Sequence, residues 1–469
     1  MNKKRVLAFA IGPVLGGVLS VAALPLIAWY FPPEDIGRNN VFQIFISFSI
    51  LLLVLGLDQA YVREFHEVDD RRALLKACAL PGIVFLFLLI GATLPYSEEM
   101  AKLLYGKKES HWYWITILCV TFSFASRYFS LVLRMQERGL AYSASQVLPK
   151  LAVLCVIGGY ILFGAGKIYT NLLYANLVSI FLVALIFGWN TKKDWIPAIG
   201  SKIDWEDHKK LLQFGAPLIG AGLAYWGLTA TSTIALRTFS DFSELGVYSM
   251  AMSFAGVAVI FQSIFSTVWM PTVYKWVANK ESLNKIDDVT EAVAFCVCTI
   301  FCFVGIFSWL VTYILPAEYK TVQFLLTCCM AQPLLYTLSE ATVVGINVKR
   351  KSMYALGIAL LALACNGLFS ALLTPQFGAV GAAISNALAY LIFFSARTEV
   401  SARLWRSSRR GHLYLMMSWM IFSAICVAFF GDRLLISPLV IWFSNLLILI
   451  LIYKKKLIAF SEASRGLFS

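Results

Sequence analysis

The chain is poor in charge. Of its 469 residues, 14% are Asp, Glu, Lys or Arg, and 59% are hydrophobic. Soluble domains average about 25% charged residues, so a water-soluble globule is excluded. No polar stretch is long enough to fold as a separate domain. Catalytic signatures are missing too. There is no Cys-x-x-Cys, no His-Glu-x-x-His, no Walker loop and no Gly-x-Ser-x-Gly. Nothing therefore points to ATP hydrolysis or a covalent intermediate, and the chain reads as a protein that is not an enzyme. The four histidines sit at the edges of apolar runs or in loops. The ten cysteines lie inside those runs or at their edges, where a thiol behaves as a small apolar packing group. No metal and no cofactor is expected.

What the chain has in abundance is apolar runs of about 20 residues, each long enough to cross a bilayer. They recur along the whole length. Fourteen can be read, from 6–30 to 435–453, which predicts an all-α integral membrane protein of about 14 transmembrane helices. The first run is too long for a removable signal peptide and lacks a small-residue cleavage site. An even number of crossings puts both termini on one side. Loops on that side carry 29 Lys and Arg, and those on the other carry 8. The positive-inside rule assigns both termini to the cytoplasm. The net charge of +13 is then mostly a cytoplasmic rim, which attracts anionic membrane lipids and requires no nucleic acid.

A weak repeat runs through the chain. Phe9-Ala10-Ile11-Gly12-Pro13-Val14-Leu15-Gly16 opens the first run, and Phe214-Gly215-Ala216-Pro217-Leu218-Ile219-Gly220 opens the seventh. The turn Pro33-Glu34-Asp35-Ile36-Gly37 is matched by Phe242-Ser243-Glu244-Leu245-Gly246. A six-helix repeat predicts two bundles related by a pseudo-twofold along the membrane normal, with two helices appended and the substrate path between the bundles. The expected division is 1–190 (helices 1–6), a cytoplasmic linker at 191–209, 210–400 (helices 7–12), and 401–469 (helices 13–14 and a tail). Trp195, Ile196 and Ile199 in the linker suit a short helix on the membrane surface; a plain tether is the alternative. Pro13, Pro25 and Pro217 are candidate bends or hinges, with close helix contact as the alternative.

Two bases sit inside apolar runs. Arg127 and Lys150 are the only two of the 39 Lys and Arg that this reading leaves away from a loop or span end. A cation in hydrocarbon must be paired or face a water-filled cavity. Both lie about two turns from the cytoplasmic ends of neighbouring helices, by the 3.6-residue period. Arg134 follows Arg127 by seven residues on the same face, and Arg63 closes the second run on the same side. Four bases there suit a diphosphate, since Arg offers a fork of donors and Lys a point charge. Asp58, at similar depth, is the competing partner, but one acid cannot neutralise two bases. For Arg63 and Arg134, snorkelling to the interface is the alternative. Glu340, in the tenth run, is a candidate for coupling to H⁺ or Na⁺, or a structural partner for a base.

Four stretches carry a family resemblance. They are Gly56-Leu57-Asp58-Gln59-Ala60-Tyr61-Val62-Arg63, the two Gly-ending turns, and Pro375-Gln376-Phe377-Gly378-Ala379-Val380-Gly381-Ala382-Ala383-Ile384-Ser385. In this order the chain resembles the bacterial O-antigen and polysaccharide flippases of the multidrug/oligosaccharidyl-lipid/polysaccharide (MOP) superfamily. Members commonly show Gly-Leu-x-x-Ala-x-x-Arg closing helix 2 and Tyr/Phe-Gly-x-x-Gly-Ala-Ala opening helix 12. The layout covers essentially the whole chain. Arg38-Asn39-Asn40 departs from it, because a Tyr is usual after that Gly. The resemblance implies transport of an undecaprenyl diphosphate-linked oligosaccharide across the bacterial inner membrane by alternating access. Its setting would be lipopolysaccharide O-antigen or other surface polysaccharide synthesis, with polymerase and glycosyltransferase machinery as partners. A multidrug cation antiporter would want acids in the first half, whereas a glycan polymerase or ligase would want a large catalytic outer loop.

Overall fold

The computed structural model describes residues 3–202, 205–406, 410–433 and 437–468; side chains are described within these except at 3–11, 13–14, 139, 142, 145, 205–207, 352 and 455–468. All regular structure among the described residues is helical. Ten helices are long and apolar enough to cross a membrane, and three shorter apolar helices occupy 15–30, 146–162 and 438–454. In lipid a backbone must satisfy its own hydrogen bonds, so such runs form helices. The chain is a multi-pass membrane protein.

Contacts divide the chain into two compact units. The first contains residues 1–237 and 241–246, and the second 238–240 and 247–469. The first unit is built from α1 (Lys3–Tyr30), α2 (Pro33–Val54), α3 (Leu57–Glu64), α4 (Arg71–Thr93), α5 (Ser97–Tyr105), α6 (Ser110–Met135), α7 (Gly139–Leu162), α8 (Tyr169–Asn190), α9 (Lys192–Gly200) and α10 (Trp205–Phe239). Helix α1 packs along α7, and α8 packs on both α6 and α7. Helix α9 falls in the linker segment, as the Trp195 and Ile199 pattern suggests. The Lys76 ammonium of α4 fixes its end by donating to the Ile199 and Ser201 carbonyls, both at 2.8 Å.

The break between α2 and α3 explains one sequence motif. Leu55 and Gly56 have φ of 53° and 70°, a left-handed pair that ends α2 and re-aims the chain. A Cβ on Gly56 would lie 2.4 Å from the Gly215 carbonyl oxygen of α10. Glycine is therefore needed twice over, for its φ and for the backbone contact. Leu57 and Ala60 are fully buried, while Arg63 points outward.

The second unit holds α11 (Phe242–Ala278), whose first turn belongs to the first unit, then α12 (Asn284–Phe307), α13 (Val311–Ile314), α14 (Val322–Thr342), α15 (Val344–Val348), α16 (Ser352–Leu404), α17 (Gly411–Phe430) and α18 (Pro438–Phe468). Helix α16 is interrupted at Gly378, with φ 52° and ψ −127°. A Cβ on Gly381 would lie 2.3 Å from the Leu373 carbonyl oxygen, and Ala379, Ala382 and Ala383 are fully buried. The Phe-Gly-x-x-Gly-Ala-Ala motif is thus the corner between two successive apolar runs. The second run continues as helix to Leu404, which places Arg397 inside it.

Candidate functional site

Of the two bases inside apolar runs, Arg127 is the one held by Asp58, and it is exposed rather than buried. Its Nη2 lies 2.6 Å from Asp58 Oδ2, joining α6 to α3. Asp58 also accepts from the Gln59 backbone N–H at 2.9 Å and from Gln59 Nε2 at 3.2 Å. The pair is asymmetric: the Asp58 side chain is 10% exposed and that of Arg127 45%. A guanidinium has five donors, so Arg127 keeps an accessible edge while one nitrogen is held. Lys150 of α7 takes another partner. Its Nζ donates to the Gly16 carbonyl of α1 at 2.7 Å, and no carboxylate among the described residues lies within ion-pair distance of it. It is half-buried. The two bases are thus fixed to different helices, Arg127 to α3 and Lys150 to α1.

The outer members of the set are more loosely held. Arg63 is exposed, lies 3.3 Å from Glu64 and stacks on Phe214 of α10 with its guanidinium carbon 4.6 Å from the ring centre. Arg134 is exposed at the end of α6. Helix α10 passes unbroken through Pro217, and α1 through Pro25; the Pro13 side chain lies outside the described residues. The neighbouring glycines make close helix contacts: the Gly12 N–H donates to Ser143 Oγ at 3.2 Å, and Gly215 meets the Leu55 carbonyl.

Residues 3–277 match the family described as polysaccharide biosynthesis protein, which is more than half of the chain. The chain belongs to this family. In three dimensions it resembles the lipid II flippase MurJ in an inward closed conformation, with a TM-score of 0.70, 12% identity and full coverage of both chains. It also resembles a multidrug resistance MATE family transporter of the MOP superfamily in an inward-facing conformation. There the TM-score is 0.56 and identity 15%, over 84% of this chain and 96% of that one. At such identities the likeness is one of fold, and it is the all-helical fold of the superfamily that the sequence resembles. No curated protein matches the chain in sequence.

In this polysaccharide biosynthesis family protein, two further arginines belong beside the sequence-derived set. Arg397, read as a loop residue, is instead a buried base inside α16, so Arg127 and Lys150 are not the only bases within helices. Its Nη2 lies 2.9 Å from Glu340 Oε1, its Nη1 donates to Ser339 Oγ at 2.7 Å, and it stacks on Tyr336 and Phe393. Glu340 is therefore charge-paired. Arg397→Ala strands that carboxylate and is expected to cost about 3–5 kcal/mol, read as a lower melting temperature in detergent. Arg397→Met with Glu340→Leu should recover most of it.

Arg38, counted among the outer-loop charges, is buried in the first turns of α2. It donates to Asp35 Oδ1 at 2.8 Å, to Glu34 Oε1 and to the Tyr105 carbonyl at 3.2 Å. It also sits over the rings of Trp112, Tyr169 and Phe242. Phe242 receives a second guanidinium, that of Arg237 at 4.7 Å, which itself binds the Lys102, Leu103 and Leu104 carbonyls at the end of α5. Around this ring the two repeated turns meet glycine to backbone. A Cβ on Gly37 would fall 2.0 Å from the Phe242 carbonyl oxygen, and one on Gly246 would fall 1.9 Å from that of Pro33.

Proposed function

We propose that the chain is a flippase for undecaprenyl diphosphate-linked oligosaccharide repeat units in the bacterial inner membrane, serving O-antigen or a related surface polysaccharide. Fourteen crossings in two six-helix bundles plus two helices, with both termini cytoplasmic, are part of this reading. The observation that carries it is a pair of bases on the packed helices α6 and α7: Lys150, with no carboxylate within ion-pair distance among the described residues, and Arg127, with an accessible guanidinium edge. A diphosphate supplies about two negative charges and several acceptors, which suit a fork and a point charge together. Arg63 and Arg134 add attraction at the entrance. The glycolipid headgroup meets these bases first, while its tail remains in the bilayer. Transport then needs only a site with different affinity in two states. H⁺ and Na⁺ are candidate coupling ions, and polymerase or glycosyltransferase enzymes are candidate partners.

Cation antiport is disfavoured by the same geometry, because Asp58 is already bound to Arg127. A polymerase is disfavoured by the segment before α6, where Glu98, Glu99 and Lys102 form an exposed face of the short helix α5. The deciding experiment is translocation of a labelled sugar-diphosphate lipid in proteoliposomes; absence of any transport overturns the reading.

Asp58 has a defined part in this scheme. It competes with the diphosphate for one nitrogen of Arg127. Asp58→Asn removes the competing charge and is expected to tighten binding of the diphosphate carrier by about tenfold, the worth of about 1.4 kcal/mol. It should also slow release. Calorimetric titration with the carrier checks this, and weaker binding would contradict it.

A further inference from the structure

One face of α2 carries polar side chains down much of its length. Asn40, Gln43 and Ser47 fall at i, i+3 and i+7, so they share a stripe. Gln43 and Ser47 are exposed. On a helix that crosses lipid, such a stripe faces water or a polar ligand. Gln43 Nε2 donates to Asn176 Oδ1 at 3.2 Å, and Asn176 Nδ2 donates to Asn39 Oδ1 at 2.9 Å. The Trp226 indole of α10 donates to Ser47 Oγ at 3.1 Å and leans on Phe48, with ring centres 4.6 Å apart. Asn40 Oδ1 is buried without a hydrogen-bond partner among the described residues.

Every polar group in this set is neutral. Arg38, the nearest base along α2, is buried and bound to Asp35 and Glu34. Amides serve as donor and acceptor at once, which suits hydroxyl and acetamido groups. A flat aromatic surface with a polar edge suits the C–H face of a sugar ring. A carboxylated sugar would instead require a base, and the stripe offers none. Ser47 lies seven residues, about 10 Å at helical rise, before the end of α2 at Val54, and Asp58 follows on α3 beyond the Leu55-Gly56 corner, so the amides and the diphosphate-binding bases lie at different levels of the first unit.

We propose that Asn40, Gln43, Ser47 and Trp226 form a glycan subsite, and that the glycan carried is uncharged and read through its hydroxyl and acetamido groups. This rests on the flippase reading above. The test uses the full chain in proteoliposomes with three diphosphate carriers: a neutral tetrasaccharide with acetamido sugars, a uronic-acid tetrasaccharide, and a single neutral sugar. Wild type should move the neutral tetrasaccharide at least about tenfold faster than the acidic one, and Gln43→Leu or Trp226→Leu should slow it about tenfold, the scale of one lost hydrogen bond. Transport of the single-sugar carrier should stay within twofold in both variants, which also reports that they fold. Gln43→Arg should shift the preference towards the acidic glycan. Equal transport of both tetrasaccharides by wild type, or equal loss of the single-sugar carrier in the variants, overturns the subsite. No transport of any carrier overturns the flippase reading itself.

Discussion

Lys150→Ala is expected to lower transport of a diphosphate-linked glycolipid by about 10- to 150-fold, the range that a hydrogen bond to a charged group supports at about 1.5–3 kcal/mol. The loss is specific to charge. What the folded protein gives up is one bond to the Gly16 carbonyl, and α1 remains packed along α7 by its close glycine contacts. Expression and melting temperature should therefore change little. Lys150→Arg retains the charge and should recover part of the rate; its fork is larger than an ammonium and crowds Gly16. Arg127→Ala should be at least as severe, because it also leaves the Asp58 carboxylate without its base. The readout is initial rate in proteoliposomes, normalised to reconstituted protein. A Lys150→Ala rate within twofold of wild type would remove this side chain from the substrate site.

The second large effect is expected at the two turn glycines. Extra methylenes in a core cost about 1–3 kcal/mol when neighbouring side chains can yield. At Gly37 and Gly246 the atoms struck are carbonyl oxygens, at 2.0 and 1.9 Å, and backbone has no rotamer to escape into. Gly37→Val or Gly246→Val must separate the turns. Separation withdraws Phe242 from between the guanidinium groups of Arg38 and Arg237, and uncovers Arg38. The expected cost is at least about 3 kcal/mol, at or above the top of the overpacking range, seen as a lowered melting temperature for either variant. Unchanged melting in both would mean that the turns are not tightly apposed in solution.

Much of this was legible from residues alone. Apolar runs gave the helices because lipid leaves the backbone no alternative, and the two Gly motifs fell at real corners, Gly56 and Gly378. Asp58 was recognised as a competitor for the buried bases, though depth alone could not choose between Arg127 and Lys150. That choice depends on where α3 points, and the left-handed pair Leu55-Gly56 sets it. Arg397 was missed because Thr398 and Glu399 follow it, and a polar sequence looks like a loop; in the fold these residues face Thr342 of α14, Tyr414 of α17 and Arg403 of their own helix. Arg38 was missed for a related reason. Its neutralising acids are local, but the rings covering it come from residues 112, 169 and 242, and no local pattern announces such convergence.

The Gly56–Gly215 contact has one more implication. Two helices usually lock by setting ridges of side chains into grooves, which fixes their crossing angle. Here backbone meets backbone, with Gly56 and Gly215 each facing the other's chain and no side chain between them. Such a junction is close yet smooth. It holds α10 near the α2–α3 corner by main chain alone and leaves the crossing angle to the side-chain contacts on either side, Arg63 on Phe214 and Trp226 on Phe48.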